Sequence, residues 1–306
     1  MKKIIVIAGP TATGKTEIAI ELAKRIDGEI VSCDSMQLYK YMDIGSAKPT
    51  AEELAAARHH LIDEIDPREP FSVALYRDMA KKVIYDIFER GKTPIIAGGT
   101  GLYLNSLLYD MDFSNAEKDD ALRTELEKEA EELGAEHIYS RLAEIDPVKA
   151  SKIHPNNVKK VIRALEGALS GNGITDFQEL KERTKDYETL LIAITRDREE
   201  LYDRINMRVD MMLEQGLVDE VRRLIDMGLE ESDISMKGIG YKEIIEFIHG
   251  MTTLEEATEK IKQNTRHLAK RQITWFKRYE DMNWINITNL TKEETVEEIL
   301  CLLQKK

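Results

Sequence analysis

The chain has 306 residues, too many for one ordinary domain and too few for three, and 42% of them are hydrophobic, enough to build a core without disulfides or a structural metal. Cys33 and Cys301 are its only cysteines, far apart and without a partnering His pattern, which excludes a zinc knuckle and a disulfide framework and fits a reducing compartment. A formal charge of −13 excludes wholesale coating of nucleic acid but leaves room for a local basic face.

Short β-branched runs alternate with longer stretches of helical period, the pattern of βαβ units around a parallel sheet. Met1, Lys2 and Lys3 lead into an apolar run too short for a signal segment or a membrane span, so a cytoplasmic protein without membrane contact is expected. Residues 3–8 form the first predicted strand, and residues 16–25 a helix with Ile18, Ala19, Leu22 and Ala23 on one side. A second strand covers 29–33. Residues 72–90 read as an amphipathic helix with Ser72 as N-cap and Gly91 just past its end. Further strands are predicted at 93–97, 189–195 and 284–287. Between 115 and 186 no strand is readable and the pattern is helical and charged; the five Glu at 125–132 read as a solvated helix face. The expected architecture is α/β: a P-loop NTPase-like parallel-sheet core at 1–114 and 187–306 with C-terminal helices, and a helical insertion domain at 115–186.

Gly9, Pro10, Thr11, Ala12, Thr13, Gly14, Lys15 and Thr16 fit G-x-x-x-x-G-K-[ST] between a strand and a helix. Glycines let the backbone curl so that consecutive N–H groups point inward, and the helix N-terminus adds partial positive charge. Lys15 is placed to reach an outer phosphate, and the Thr16 hydroxyl to bind magnesium. Such a cradle suits any diphosphate or triphosphate, nucleotides being the common guests. Asp34 follows the second strand, at the sheet end where active-site groups collect, and reads either as a general base or magnesium-shell ligand or as a turn cap. Gly98, Gly99, Thr100 and Gly101 form a turn that should reach the same edge. Arg204 and Arg208 lie one helical turn apart; their spacing alone favours pairing with Asp203 or Asp210 over a phosphate role.

Residues 260–279 hold seven Lys or Arg (260, 262, 266, 270, 271, 277 and 278) and no carboxylate. Arg266, Lys270 and Lys277 share a helical face, while Trp275, Phe276 and Tyr279 supply either stacking surface or core. A basic stripe beside aromatics suits phosphates and unstacked bases. Smaller basic clusters are Lys159, Lys160 and Arg163, and a turn from Lys237 to Lys242. Together with the cradle they suggest a large anionic partner.

These stretches resemble the tRNA dimethylallyltransferase (tRNA isopentenyltransferase) family. The motifs that carry the likeness are GPTATGKT at 9–16, DSMQLYKYMDIGSAKP at 34–49, HHLIDEIDP at 59–67, GGTGLYL at 98–104, HPNNVKKVIRALE at 154–166 and RHLAKRQITWFKR at 266–278. The resemblance implies transfer of a dimethylallyl group from dimethylallyl diphosphate to N6 of the adenosine 3′ of the tRNA anticodon, releasing diphosphate. It implies an isoprenoid diphosphate and magnesium in the cradle in place of ATP. It implies Asp34 as general base, and Thr100 and Arg208 on the leaving diphosphate with Lys15 and Thr16. It implies tRNA contact at Asp34, Ser35, Met36, Gln37, Thr100, Arg123, Lys159, Lys160, Arg163, Lys237, Tyr241, Lys242, Lys270, Arg271 and Lys277. An unstacked adenine implies a channel with an aromatic lining. A monomer without the zinc finger of eukaryotic relatives is expected. Tyr41, where the family has Gly, and residues 170–174, which lack the family's Lys-Pro, depart from the pattern. Competing readings are a small-molecule P-loop kinase, a prenyltransferase of free adenine nucleotides, and an RNA-binding module with a vestigial P-loop.

Overall fold

The structure, a computed structural model, describes residues 2–111, 120–169 and 182–304. These form two compact units, one of residues 1–108 and 184–306 and one of residues 109–183.

The first unit is built on a six-stranded parallel sheet in the order β3-β2-β4-β1-β5-β6. In chain order its elements are β1 (Lys3–Ala8), α1 (Lys15–Ile26), β2 (Gly28–Ser32), α2 (Ala51–Ala56), β3 (His59–His60), α3 (Val73–Glu89), β4 (Thr93–Gly98) and α4 (Gly101–Leu108). The helices of the second unit follow: α5 (Asp120–Leu133), α6 (Ala135–Ile145), α7 (Pro147–Ala150) and α8 (Val158–Leu169). The first unit resumes with β5 (Glu188–Thr195), α9 (Arg198–Glu214), α10 (Leu217–Asp226), a short 3-10 turn (Ser235–Lys237), α11 (Tyr241–Ile248), α12 (Leu254–Phe276), β6 (Asn283–Asn286) and α13 (Lys292–Gln304).

β1 is a continuous apolar run because both faces are covered, as parallel strands require. Ile5 and Ile7 pack with Ile95, Ile192 and Ile194 against the α1 side, where Leu22, Val296 and Ile299 close the core. On α3, Ser72 accepts the N–H of Leu75, as its N-cap position predicts. Gly91, at φ 74°, donates to Phe88 and Lys92 donates to Ile87, a Schellman ending that needs a left-handed residue.

Two differences from the sequence reading concern the short third strand and the limits of the helical unit. β3 is two residues long, too short to produce a period, and pairs with β2 through Ile30 and His59. The helical unit runs from 109 to 183 instead of 115 to 186: the Thr184 N–H donates to Leu108, and Lys81 pairs with Asp186, so both belong with the sheet. The departure at 170–174 lies outside the described residues. The helical unit has its own core of Leu126, Ile138, Leu142, Val161 and Leu165.

Candidate active site

The phosphate loop follows β1 at the sheet's carboxyl edge. Gly9 (φ 143°), Ala12 (φ 64°) and Gly14 (φ 97°) take backbone angles open mainly to glycine, and a Cβ on Gly9 would stand 2.2 Å from the Ile194 carbonyl. The loop's carbonyls are taken by side chains, two from the motif itself and two from the segment that follows β5. Thr13 Oγ1 and Lys15 Nζ donate to Pro10, Arg204 Nε to Ala12 at 2.9 Å, and Arg196 Nε to Thr13 at 3.0 Å. With those carbonyls occupied, the N–H groups of the turn at the start of α1 remain for an anion. Arg204 is therefore a strut under the loop, and the pairing with Asp203 or Asp210 does not occur; Asp210 pairs with Lys262 instead. Arg196, at the end of β5, does the same work and was not singled out from sequence.

A cavity of about 460 Å³ opens over the loop, with Lys15, Thr16, Asp34 and Arg208 against Met207 and Met211. Burial, Arg208's charge and, in opposition, Asp34's carboxylate bring the Lys15 ammonium down to about 8. Burial, then the neighbouring Arg204, lowers Arg208's pKa too. Two cations desolvated side by side suit a strongly anionic guest.

A second cavity, of about 450 Å³, is lined by Ser35, Met36, Thr100, Arg271, Gln272 and Trp275. Thr11, Asp34, Ser46, Ala47, Arg208 and Met212 line both, so the cavities meet at Asp34 and Arg208. Asp34 Oδ1 accepts the Met36 N–H at 2.9 Å, realising the turn-capping role. Among the described residues none donates a hydrogen bond to Oδ2, so capping leaves the second carboxylate oxygen open. The N–H of Ser35 donates to Thr100 Oγ1, and the N–H of Thr100 to the Cys33 carbonyl, which ties the two strand ends together. Thr100 lines the second cavity and not the one around Lys15, a geometry that favours the acceptor side over the leaving diphosphate.

The glycines of the 98–101 turn acquire specific reasons. A Cβ on Gly98 would lie 2.1 Å from the Cys33 carbonyl, on Gly99 2.3 Å from Gln272 Nε2, and on Gly101 2.2 Å from the Trp275 ring. α12 is thus seated directly on the turn.

The remaining sequence candidates separate. Lys260 pairs with Glu246, Lys262 with Asp210, and Arg266 donates to the neutral Asn206 side chain, so the lower stripe is engaged by other elements. Lys270, Arg271 and Lys277 stay exposed and have no carboxylate within ion-pair distance among the described residues. Phe276 and Tyr279 are core, while Trp275 is half-buried with Arg278 stacked on its ring. Lys237 and Lys242 are exposed. Tyr241 does not fit the tRNA role read for it: its side chain is 1% exposed, and its O–H donates to Glu220 at 2.8 Å. Glu220, also buried, accepts the N–H groups of Asp43, Ile44 and Gly45 and so shapes the loop lining both cavities. Nothing in its sequence context signals this, because the donors lie far away along the chain. Gln37 is held by Ser32 and the Ala47 carbonyl. In the helical unit Lys159, Lys160 and Arg163 are exposed on α8, whereas Arg123 is gripped in a two-pronged pair by Glu166.

Sheet order, phosphate loop and joined cavities define a P-loop α/β protein with a second cavity at the same strand ends. The chain belongs to the IPP transferase family, whose model matches residues 37–279. It is 51% identical to the tRNA dimethylallyltransferase of Alkaliphilus oremlandii over 304 residues, covering 99% of this chain and 96% of that protein. It is 50% identical to the enzyme of that name from Clostridioides difficile over 301 residues, covering 98% and 96%. Among solved structures, the tRNA isopentenylpyrophosphate transferase of Bacillus halodurans superposes with a TM-score of 0.76 at 42% identity, over 100% of this chain and 96% of that one. A eukaryotic dimethylallyltransferase acting on tRNA superposes at 0.82 with 30% identity, over 99% and 78%.

Proposed function

We propose that the protein is a tRNA dimethylallyltransferase that moves the dimethylallyl group of dimethylallyl diphosphate onto N6 of the adenosine 3′ of the anticodon. The observation that carries this reading is the meeting of two cavities at one carboxylate, one floored by the phosphate loop and one lined by a basic, aromatic helix end. The diphosphate lies in the first and the unstacked adenine enters the second, beside Trp275. N6 attacks the allylic C1, the C1–O bond breaks, and the electron pair leaves with the diphosphate. Asp34 Oδ2 takes the proton that N6 sheds. Lys15 and Arg208 stabilise the charge that grows on the leaving oxygen. Thr100 keeps Ser35 and the adenine side in register.

Thr16 lines the donor cavity, and among the described residues its hydroxyl has no hydrogen-bond partner and no cluster of three or more His, Cys, Asp or Glu side chains is placed to hold a metal ion. That donor set fits a magnesium held mainly by phosphate oxygens, with Thr16 as its protein ligand. When bound, the ion neutralises diphosphate charge. The donor is an isoprenoid diphosphate and not ATP, and one chain supplies every group named, which suits a monomer. Among the described residues no helix is long and apolar enough to cross a membrane.

The test is incubation with dimethylallyl diphosphate, magnesium and unmodified tRNA, followed by nucleoside digestion and mass spectrometry. Dimethylallyladenosine is expected at the position after the anticodon. ATP hydrolysis with no modified nucleoside would return the kinase reading.

A further inference from the structure

Gln272 stands on α12 beside the exposed cations Lys270 and Arg271, and its amide is committed at both ends. Oε1 accepts the N–H of Thr11, in the phosphate loop, at 2.9 Å; Nε2 donates to the carbonyl of Gly99, in the turn after β4, at 3.1 Å. Reversing the amide would set like groups against each other at both contacts, so one orientation is fixed. Gly99 is bare where this amide passes: a Cβ there would stand 2.3 Å from Nε2 and no nearer than 3.3 Å to anything else. One side chain thus links the helix bearing the free cations, the loop that cradles the diphosphate, and the turn that carries Thr100.

We propose that Gln272 is a positioning residue that couples the two substrate sites, so that tRNA seated on α12 tightens diphosphate binding in the loop. The inference rests on the tRNA reading above. Engaging Lys270 and Arg271 restrains the helix and with it Gln272, and the loop segment that Gln272 anchors through the Thr11 N–H then has less freedom to lose when the anion arrives at its neighbouring N–H groups. Coupling is reciprocal, so diphosphate tightens tRNA by the same factor. A bridge of one hydrogen bond to the loop sets that factor at about two- to tenfold.

The experiment is calorimetric titration of inorganic diphosphate with magnesium, with and without saturating tRNA, on wild type, Gln272→Ala and Gly99→Ala. The second variant leaves Gln272 in place but drives its amide off from the other end. Wild type is expected to show the two- to tenfold tightening, and both variants a ratio near one, with melting temperature and salt dependence of tRNA binding close to wild type. Folded variants that keep the wild-type ratio would overturn the proposal, as would a wild type that binds both ligands independently. A wild type that fails to bind tRNA in the preceding titration would instead overturn the functional reading, and this inference with it.

Discussion

Lys15 loses its proton far more easily than a free lysine. Burial and Arg208 bring it from 10.5 to about 8, so around that pH the empty cradle holds a partly neutral amine. A bound diphosphate favours the charged form. Diphosphate binding near pH 8 should therefore take up a proton, and affinity should fall as the pH rises through that value. Calorimetry in two buffers of different ionisation enthalpy checks this; equal heats would contradict it. For the fold itself the sign is opposite. Between pH 8 and 10.5 the unfolded chain binds more protons than the folded one, so this group's contribution to stability rises with pH. Tyr41 gives a second residue-scale case. It sits at φ 65° and is 52% exposed, so a glycine there would relieve the backbone and give up little buried surface. Removing left-handed strain of about 1–2 kcal/mol against about 0.5–1 kcal/mol of added chain entropy should leave Tyr41→Gly as stable as wild type or slightly more so. Denaturant titration of both variants checks this, and Tyr41→Val should be less stable than wild type.

At the scale of the element, α12 combines two tasks, seating the 98–101 turn and presenting cations. The acid-free run at 260–279 was legible in the sequence, but its division was not. Lys260 and Lys262 meet carboxylates on α11 and α9, and pairing across elements leaves no mark on local spacing. Lys270 and Lys277 are the residues expected to meet tRNA phosphates. Replacing both with Ala should flatten the slope of log K against log salt by about one to two units, through lost counterion release. Diphosphate affinity in the absence of tRNA should not change. An unchanged slope in a folded double variant would make the stripe a solvated face. The turn itself was a weak signal from sequence, because glycines after strands are common; its meaning lies in Gln272, 173 residues from Gly99 along the chain, and in nearby Trp275. Gly101→Ala should cost about 1–3 kcal/mol by pushing Trp275 aside, with a shift in tryptophan emission.

Across the whole molecule, the sheet was readable wherever a strand was long enough to carry β-branched residues, and β3, only His59 and His60, was not. Asp34 was legible as a strand-end carboxylate, and the phosphate loop as a motif. The arginine struts, the Glu220 clamp and the burial of Tyr241 were not, because each depends on which distant backbone comes near. What ties these parts into one account is a single chemical step where the two cavities join. Single-turnover transfer from labelled dimethylallyl diphosphate, with unmodified tRNA or free adenosine monophosphate as acceptor, tests it most directly. Wild type should label tRNA and leave the mononucleotide essentially unlabelled, while Asp34→Ala should bind tRNA normally and transfer about a hundredfold more slowly or worse. Near-normal transfer by Asp34→Ala, or preferential labelling of the mononucleotide, would contradict the account.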